Sequence, residues 1–263
     1  MRRYIRLVGI LFKFKLSRSM IYSGNFWMAF IVDFFLFVFQ LVAFVSIYQF
    51  IDTINGWDLN QMFVFIGTFS IVDSMAMGTF FFGIINLPEK IRTGSLDIMI
   101  AKPIDTQFFV SAESFNPGSL FGIITGSCMV MYGLSSGGYV VSMIQVLGYI
   151  LLLIMMYLLF YSMMLIVRTL AFIFVKINTL TQVEDSVIEF AFRIPGTAFK
   201  GISKVIFMVI IPYGLIATVP TEHITNMLEP SQWLIVTGIT LFFFGLARFM
   251  FKFGMGRYTS ASS

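Results

Sequence analysis

Residues 140–167, VVSMIQVLGYILLLIMMYLLFYSMMLIV, contain no charged side chain. A bilayer core is crossed by about 20 apolar residues in a helix, because only a helix or a closed barrel satisfies its own backbone where there is no water. The stretch therefore predicts a transmembrane helix. Working outward, residues 26–50 (FWMAFIVDFFLFVFQLVAFVSIYQF) carry one charge, Asp33, and residues 61–87 carry one, Asp73. Both read as full spans. From Phe108 to Leu134 the run is rich in Gly and Ser and broken at Asn116-Pro117-Gly118, which predicts a kinked span, or a short helix and then a span, with small residues that let helices approach closely. Residues 233–251 form the last span.

The composition agrees. Of 263 residues 58% are hydrophobic and 11% charged, where soluble domains carry about 25% charged residues. With 33 Phe, 18 Met and a mean hydropathy of +0.91, this is far more apolar surface than one soluble core hides. The expected class is an all-α integral membrane protein, residues 1–263 forming one transmembrane domain. One His and one Cys exclude a disulfide framework and a zinc cluster, and no G-x-x-x-x-G-K-[ST] loop is present for nucleotide. The chain is expected to need no cofactor or metal, to bind no nucleic acid, and not to be an enzyme.

Two readings of residues 168–220 stay open. In one, 178–192 is an amphipathic helix on the cytoplasmic surface and 201–219 crosses the membrane. In the other, 170–192 crosses with a polar face turned inward, and 200–219 is re-entrant from the far side. Either gives six crossings. All 17 basic residues fall in 1–25, 88–107, 168–204 and 248–263, and none in 51–60, 135–139 or 220–232. That asymmetry predicts cytoplasmic termini in a plasma-membrane protein. The second reading moves Arg193, Lys200 and Lys204 to the far side and weakens the bias without reversing it. Arg2, Arg6 and Lys13 fall in one helical sector away from Ile5, Val8, Leu11 and Phe12, so residues 1–24 read as an interfacial helix or a topology-setting basic tail.

Ionisable groups inside spans are costly and tend to face a bundle interior or a wet path. Asp33 and Asp73 are therefore the candidate pathway residues, with a structural hydrogen bond between helices as the plain alternative. His223 and Cys128 are solitary and read as loop or packing residues. Between the second and third runs lies Leu87-Pro-Glu-Lys-Ile-Arg-Thr-Gly-Ser-Leu-Asp-Ile-Met-Ile-Ala-Lys-Pro103. Charges of both signs mixed with Ile91, Leu96, Ile98, Met99 and Ile100, broken at Gly94 and stopped at Pro103, suit docking into a groove of another protein. In this reading Leu96, Ile98 and Met99 are the apolar anchors, and Asp97 caps or pairs near Lys90 and Arg92.

Ile91-Arg-Thr-Gly-Ser-Leu-Asp-Ile-Met-Ile-Ala-Lys-Pro103 resembles the I-R-x-G-x-L-D-x-x-L-x-[KR]-P loop of the ABC-2 class of ATP-binding-cassette permeases, in its branch of about 260-residue, six-span subunits. Ile194-Pro195 and Ile211-Pro212-Tyr-Gly-Leu-Ile-Ala-Thr-Val-Pro220 are similar to a second segment of that branch. Ile194 stands where Tyr is usual, and Ile100 where Leu is common. The resemblance implies an exporter fold in which loop 87–107 couples to a separate ATPase subunit, itself a dimer, through Glu89, Lys90, Ile91, Arg92, Gly94, Leu96, Asp97, Ile98, Met99, Lys102 and Pro103. It also implies a second permease subunit, identical or homologous, lining one pathway in the lipid bilayer, and it favours the re-entrant reading. An ion- or proton-coupled secondary transporter using Asp33 and Asp73 is the alternative from another class, although no internal repeat supports it.

Overall fold

The computed structural model describes residues 9–10, 13, 17, 23–54, 56–174 and 177–258. The interfacial helix expected at 1–24 falls almost wholly outside the described residues. Among them the regular structure is helical, with one isolated β-bridge between Ile54 and Trp57. The helices are α1 Ser23–Tyr48, α2 Leu59–Thr79, α3 Phe81–Ile85, α4 Leu87–Thr93, α5 Asp97–Ile100, α6 Thr106–Ala112, α7 Phe121–Ser136, α8 Met143–Thr169, α9 Asn178–Arg193, α10 Ile202–Val205, α11 Leu215–Ile224 and α12 Pro230–Arg257.

Among the described residues four helical stretches are long and apolar enough to cross a bilayer: α2, α7 with the preceding turn at Pro117–Leu120, α8 with the following turn at Leu170–Phe172, and α12. A fifth is reached if α10 with its π-turn, Ile202–Ile210, and Pro212–Ile224 count as one span, although the two are bent by 79°. Pro212 explains the break, since proline has no N–H to continue the helix ladder. In α1 the described apolar stretch, Val38–Tyr48, is shorter than a span. The fold is that of an all-α membrane protein.

At one end of the bundle α2, α8 and α12 all begin with a capping box. The Gln61 N–H donates to Asp58 Oδ1 at 2.7 Å and the Asp58 N–H to Gln61 Oε1 at 2.9 Å. Ser142 with Gln145, and Glu229 with Gln232 ahead of Pro230, repeat the arrangement. Each box satisfies two backbone donors that a helix start leaves open. Polar contacts tie this end together: Ser136 to Asn60 at 3.0 Å, His223 to the Gln145 carbonyl at 3.2 Å, and Gln145 to Asn226.

In the core, α8 is the central helix. Leu152, Met156, Leu159, Phe160 and Met164 are fully buried, and its tyrosines reach outward to neighbours. Tyr149 shares a hydrogen bond with Thr68 at 2.8 Å and Tyr157 one with Thr79 at 2.7 Å, both binding α8 to α2. Against the other side of α2 lies α7, antiparallel and very close. A Cβ on Gly67 would sit 2.6 Å from the Gly126 carbonyl oxygen, and one on Gly126 would sit 2.6 Å from that of Gly67. Gly133 approaches the Asn60 carbonyl in the same way, and Gly122 fits against Ser74. Gly122 and Gly126 have the spacing by which small residues bring membrane helices into backbone contact.

The helix α9 is attached differently. At its middle, Arg168 at the end of α8 pairs with Glu184 and Asp185, and Tyr213 donates to Glu184 Oε1 at 2.7 Å. At its finish, Arg193, Ile194, Pro195 and Ala198 line a cavity with Ile47, Ile54 and Met62, near the Asp58 end of the bundle. So the second half of α9 runs from the Arg168 cluster toward the Asp58 end. The chain then turns: the Gly196 N–H donates to Thr218 Oγ1 at 2.7 Å, and α11 brings His223 back to the start of α8.

Candidate functional site

Loop 87–107 is an ordered cap on the Arg168 end of the bundle. Leu87 is fully buried and Pro88 sits in the first turn of α4, where a missing N–H costs nothing. Gly94 ends α4 with φ 72°, a left-handed conformation that glycine adopts without a Cβ penalty, as its place in the sequence suggests. The Leu96 N–H then donates to the Lys90 carbonyl at 3.2 Å, and α5 starts immediately.

This turn decides which side chains are offered outward. Leu96 is 0% exposed and Met99 9%, both packed into the chain's own core. They are not the groove anchors that the alternation of apolar and polar residues suggested. In a four-residue helix the periodicity does not say which face meets the bundle. The exposed apolar residues are Ile98, at 68%, and Ile100, at 39%. They stand among exposed Ala101, Lys102 and Pro103, with exposed Glu89, Arg92 and Thr93 on the preceding turn.

The charges are also assigned. Arg92 pairs with Glu89 through Nη2 at 2.6 Å and Nε at 3.0 Å, which holds the Glu89 carboxyl below the usual carboxylate range. Lys90 pairs with Glu113, just beyond α6. Lys102 lies 3.9 Å from the centre of the Phe109 ring, a cation–π contact. Asp97 neighbours Tyr258, whose phenol is pushed up by burial and then by direct interaction with the Asp97 carboxyl.

A residue outside the expected set fixes the loop's exit. Asp105 caps α6, accepting from the Phe108 N–H at 2.9 Å, and receives both terminal nitrogens of Arg248 on α12. The hydrogen bond from Arg248 is the main reason that its carboxyl is held below the ordinary value. Arg248 also donates to Gln107 at 2.7 Å, and Gln107 donates to Tyr161 on α8 at 2.8 Å. The network therefore joins the loop to two long helices. Sequence offers only a weak signal for it, an Asp two residues beyond Pro103 and an Arg inside the last apolar run.

The other candidates lie elsewhere. Asp73 on α2 is half-buried and engaged by a neighbouring group, one residue before Ser74 at the α7 contact. Asp33 is carried on α1, and its side chain lies outside the described residues. The structure places Asp73 on α2 at the α7 contact and not in loop 87–107. The charges that it does bring together are Arg168, 1% exposed, Glu184, 5% exposed, and Asp185. Among the described residues no three His, Cys, Asp or Glu side chains converge to hold a metal ion.

A membrane-embedded helical bundle with an ordered loop and a bent helical pair before its last helix is the setting in which the sequence comparison is informative. Residues 34–262 match the family described as ABC-2 family transporter protein. The chain belongs to this family. No curated protein and no solved structure matches it. The match takes in α2 to α12, and with them loop 87–107 and the Arg168 cluster, and begins one residue after Asp33. This ABC-2 family member is a multi-pass membrane protein.

Proposed function

We propose that the chain is the permease subunit of an exporter, forming one pathway with a second, identical or homologous permease and driven by a separate ATPase dimer. The observation that carries the proposal is loop 87–107. It is pinned to the bundle by Leu96, Met99, Lys90–Glu113 and Asp105–Arg248, while Ile98 and Ile100 face outward. A surface that exposes two isoleucines on a rigid support suits docking on a partner, and a push on it is passed to α8 and α12. ATP binding and hydrolysis then belong to the other chain, in keeping with the absence of a nucleotide loop from this sequence.

The permease has six crossings: α1, α2, α7, α8, α9 and α12. α1, with 26 residues, extends roughly 39 Å at about 1.5 Å per residue, enough to cross. α9 is the fifth crossing, supported by its run from Arg168 to the Ile54 and Met62 end, and the bent pair is re-entrant from that far side. Both termini and the loop face the cytoplasm of a plasma-membrane protein. With Cys128 replaced, single cysteines at Ser136 and Lys200 should label from one side and a cysteine at Ser95 from the other. Labelling at Lys200 from the Ser95 side would return α9 to the surface. Asp33 and Asp73 remain the pathway candidates, and Asp73→Asn should lower transport while assembly persists.

The deciding experiment is isolation of the tagged full chain in mild detergent. A nucleotide-binding protein should co-purify, and Ile98→Asp with Ile100→Asp should release it while the permease stays inserted. Absence of an ATPase, or a double variant that retains it together with ATP-dependent transport, would overturn the proposal.

A further inference from the structure

The cavity between α1 and the far end of α9 has a volume of about 780 Å³ and is half enclosed. That lies within the roughly 300–1,000 Å³ range of small-molecule sites. Its two walls differ in chemistry. From α1 come Phe39, Ala43, Phe44 and Ile47 with Gln40 as the one polar residue, and from α9 comes the Glu189–Arg193 pair. A groove that only sheltered lipid tails would have no use for an ion pair. A groove that only held water would not be faced with two phenylalanines and an isoleucine.

The pair itself is suited to exchange partners. It joins residues four apart on one helix, and both side chains are 67% exposed. Such pairs are weak, with one carboxylate oxygen and several guanidinium donors left over for another group, so opening them costs little. Opposite charges one helical turn apart offer a cation site and an anion site side by side. The apolar wall extends from there along α1.

We propose that this cavity binds a single-chain zwitterionic amphiphile of the lysophospholipid type. Its phosphate lies on Arg193, its ammonium on Glu189, and its chain along Phe39, Ala43, Phe44 and Ile47. The site stands on the chain's own geometry and does not need an ATPase partner, so it survives or fails apart from the permease reading.

The test uses the purified full chain and lysophosphatidylcholine carrying a photoreactive group in its acyl chain. Labelling should saturate and map to peptides containing residues 39–47 and 194–198. Unlabelled lysophosphatidylcholine should compete about tenfold better than a monoacylglycerol of the same chain length, the difference that charge-assisted contacts to the head group supply. Ala43→Trp should cut labelling at least about fivefold by filling the cavity. Arg193→Gln, at an exposed position that leaves the fold intact, should bring the two competitors level even if Ala43→Trp fails to fold. Three results would overturn the assignment: unsaturable labelling spread over α8 and α12, as from belt lipid; equal competition by the monoacylglycerol; or closure of the cavity by a second copy, seen as a disulfide between Phe39→Cys chains together with loss of labelling.

Discussion

The helices α7 and α9 are fastened to the same bundle by opposite means. α7 meets α2 backbone to backbone through Gly67, Gly122, Gly126 and Gly133, so contact is spread over its length and leaves no room between them. α9 is held at its middle by Arg168, Glu184, Asp185 and Tyr213, and at its finish it stands off α1 across an open cavity. Small side chains make a seam that cannot slide without collision. A charged cluster at mid-helix fastens α9 at one level, with buried Ile188 and Ala191 beyond it on the bundle side and the cavity on the α1 side. Within this chain α2, α7 and α8 form the scaffold, and α1, α9 and the bent pair form the adaptable side.

That contrast can be broken most forcefully at Arg168. Arg168→Met leaves Glu184 buried without its cation, and losing one partner of a buried pair costs about 3–5 kcal/mol. The midpoint of thermal unfolding in detergent should fall sharply, and neutralising Glu184 and Asp185 in the same chain should recover part of the loss. Unchanged stability in Arg168→Met would mean that α9 is held by something else. Gly126→Leu attacks the other seam. It drives a side chain toward the Gly67 carbonyl, with an expected loss of about 1–3 kcal/mol or more, read by the same unfolding midpoint. A Gly126→Leu chain as stable as the parent would show that α7 can retreat, and would remove the distinction between a glycine seam and a charged fastening.

A smaller effect is expected at Asp105. Arg248 holds its carboxyl below the ordinary value of 3.8, so the pair contributes stability above that value and loses it as pH falls through the lower folded value. Both side chains are about one-third exposed, and solvent keeps the contribution under about 1 kcal/mol. Protease sensitivity of loop 87–107 should be flat from pH 7 to 4.5 and rise only below 3.8. A rise near pH 6 would assign the loop's anchorage to another group. The smallest effect on stability is expected for Ile98→Ala, within about 0.5 kcal/mol because the side chain is exposed. If it destabilises the chain as much as Gly126→Leu, Ile98 is packed inward and is not offered to a partner.

Much of the scaffold can be read in the sequence, because lipid makes severe demands. The charge-free run 140–167 became α8, and the Gly- and Ser-rich run after Pro117 became the helix that packs by its glycines. Gly94 was legible as a turn, since few residues adopt a positive φ. The inward turn of Leu96 and Met99 was not, because a one-turn helix shows the same apolar content whichever face meets the bundle. The Arg168 cluster escaped for another reason. Arg168 reads as the end of an apolar run and Glu184 as the polar side of an amphipathic helix, and only their meeting in space turns two surface signals into a buried one.

The order of those charges along the chain has a consequence for biogenesis. With Glu184, Asp185, Glu189 and Arg193, α9 is a poor candidate for entering a bilayer unaided, since each charge near the middle costs about 2.5–3.5 kcal/mol on insertion scales. In the six-crossing topology proposed above, α8 is synthesised first, enters on its own hydrophobicity, and leaves Arg168 waiting at its cytoplasmic end. The acids of α9 emerge from the ribosome next to a counter-charge already set in the membrane. On that topology α8 is the template for its successor's insertion, and a nascent chain carrying Arg168→Leu should strand α9 outside the bilayer, which an accessibility label on residue 200 would report.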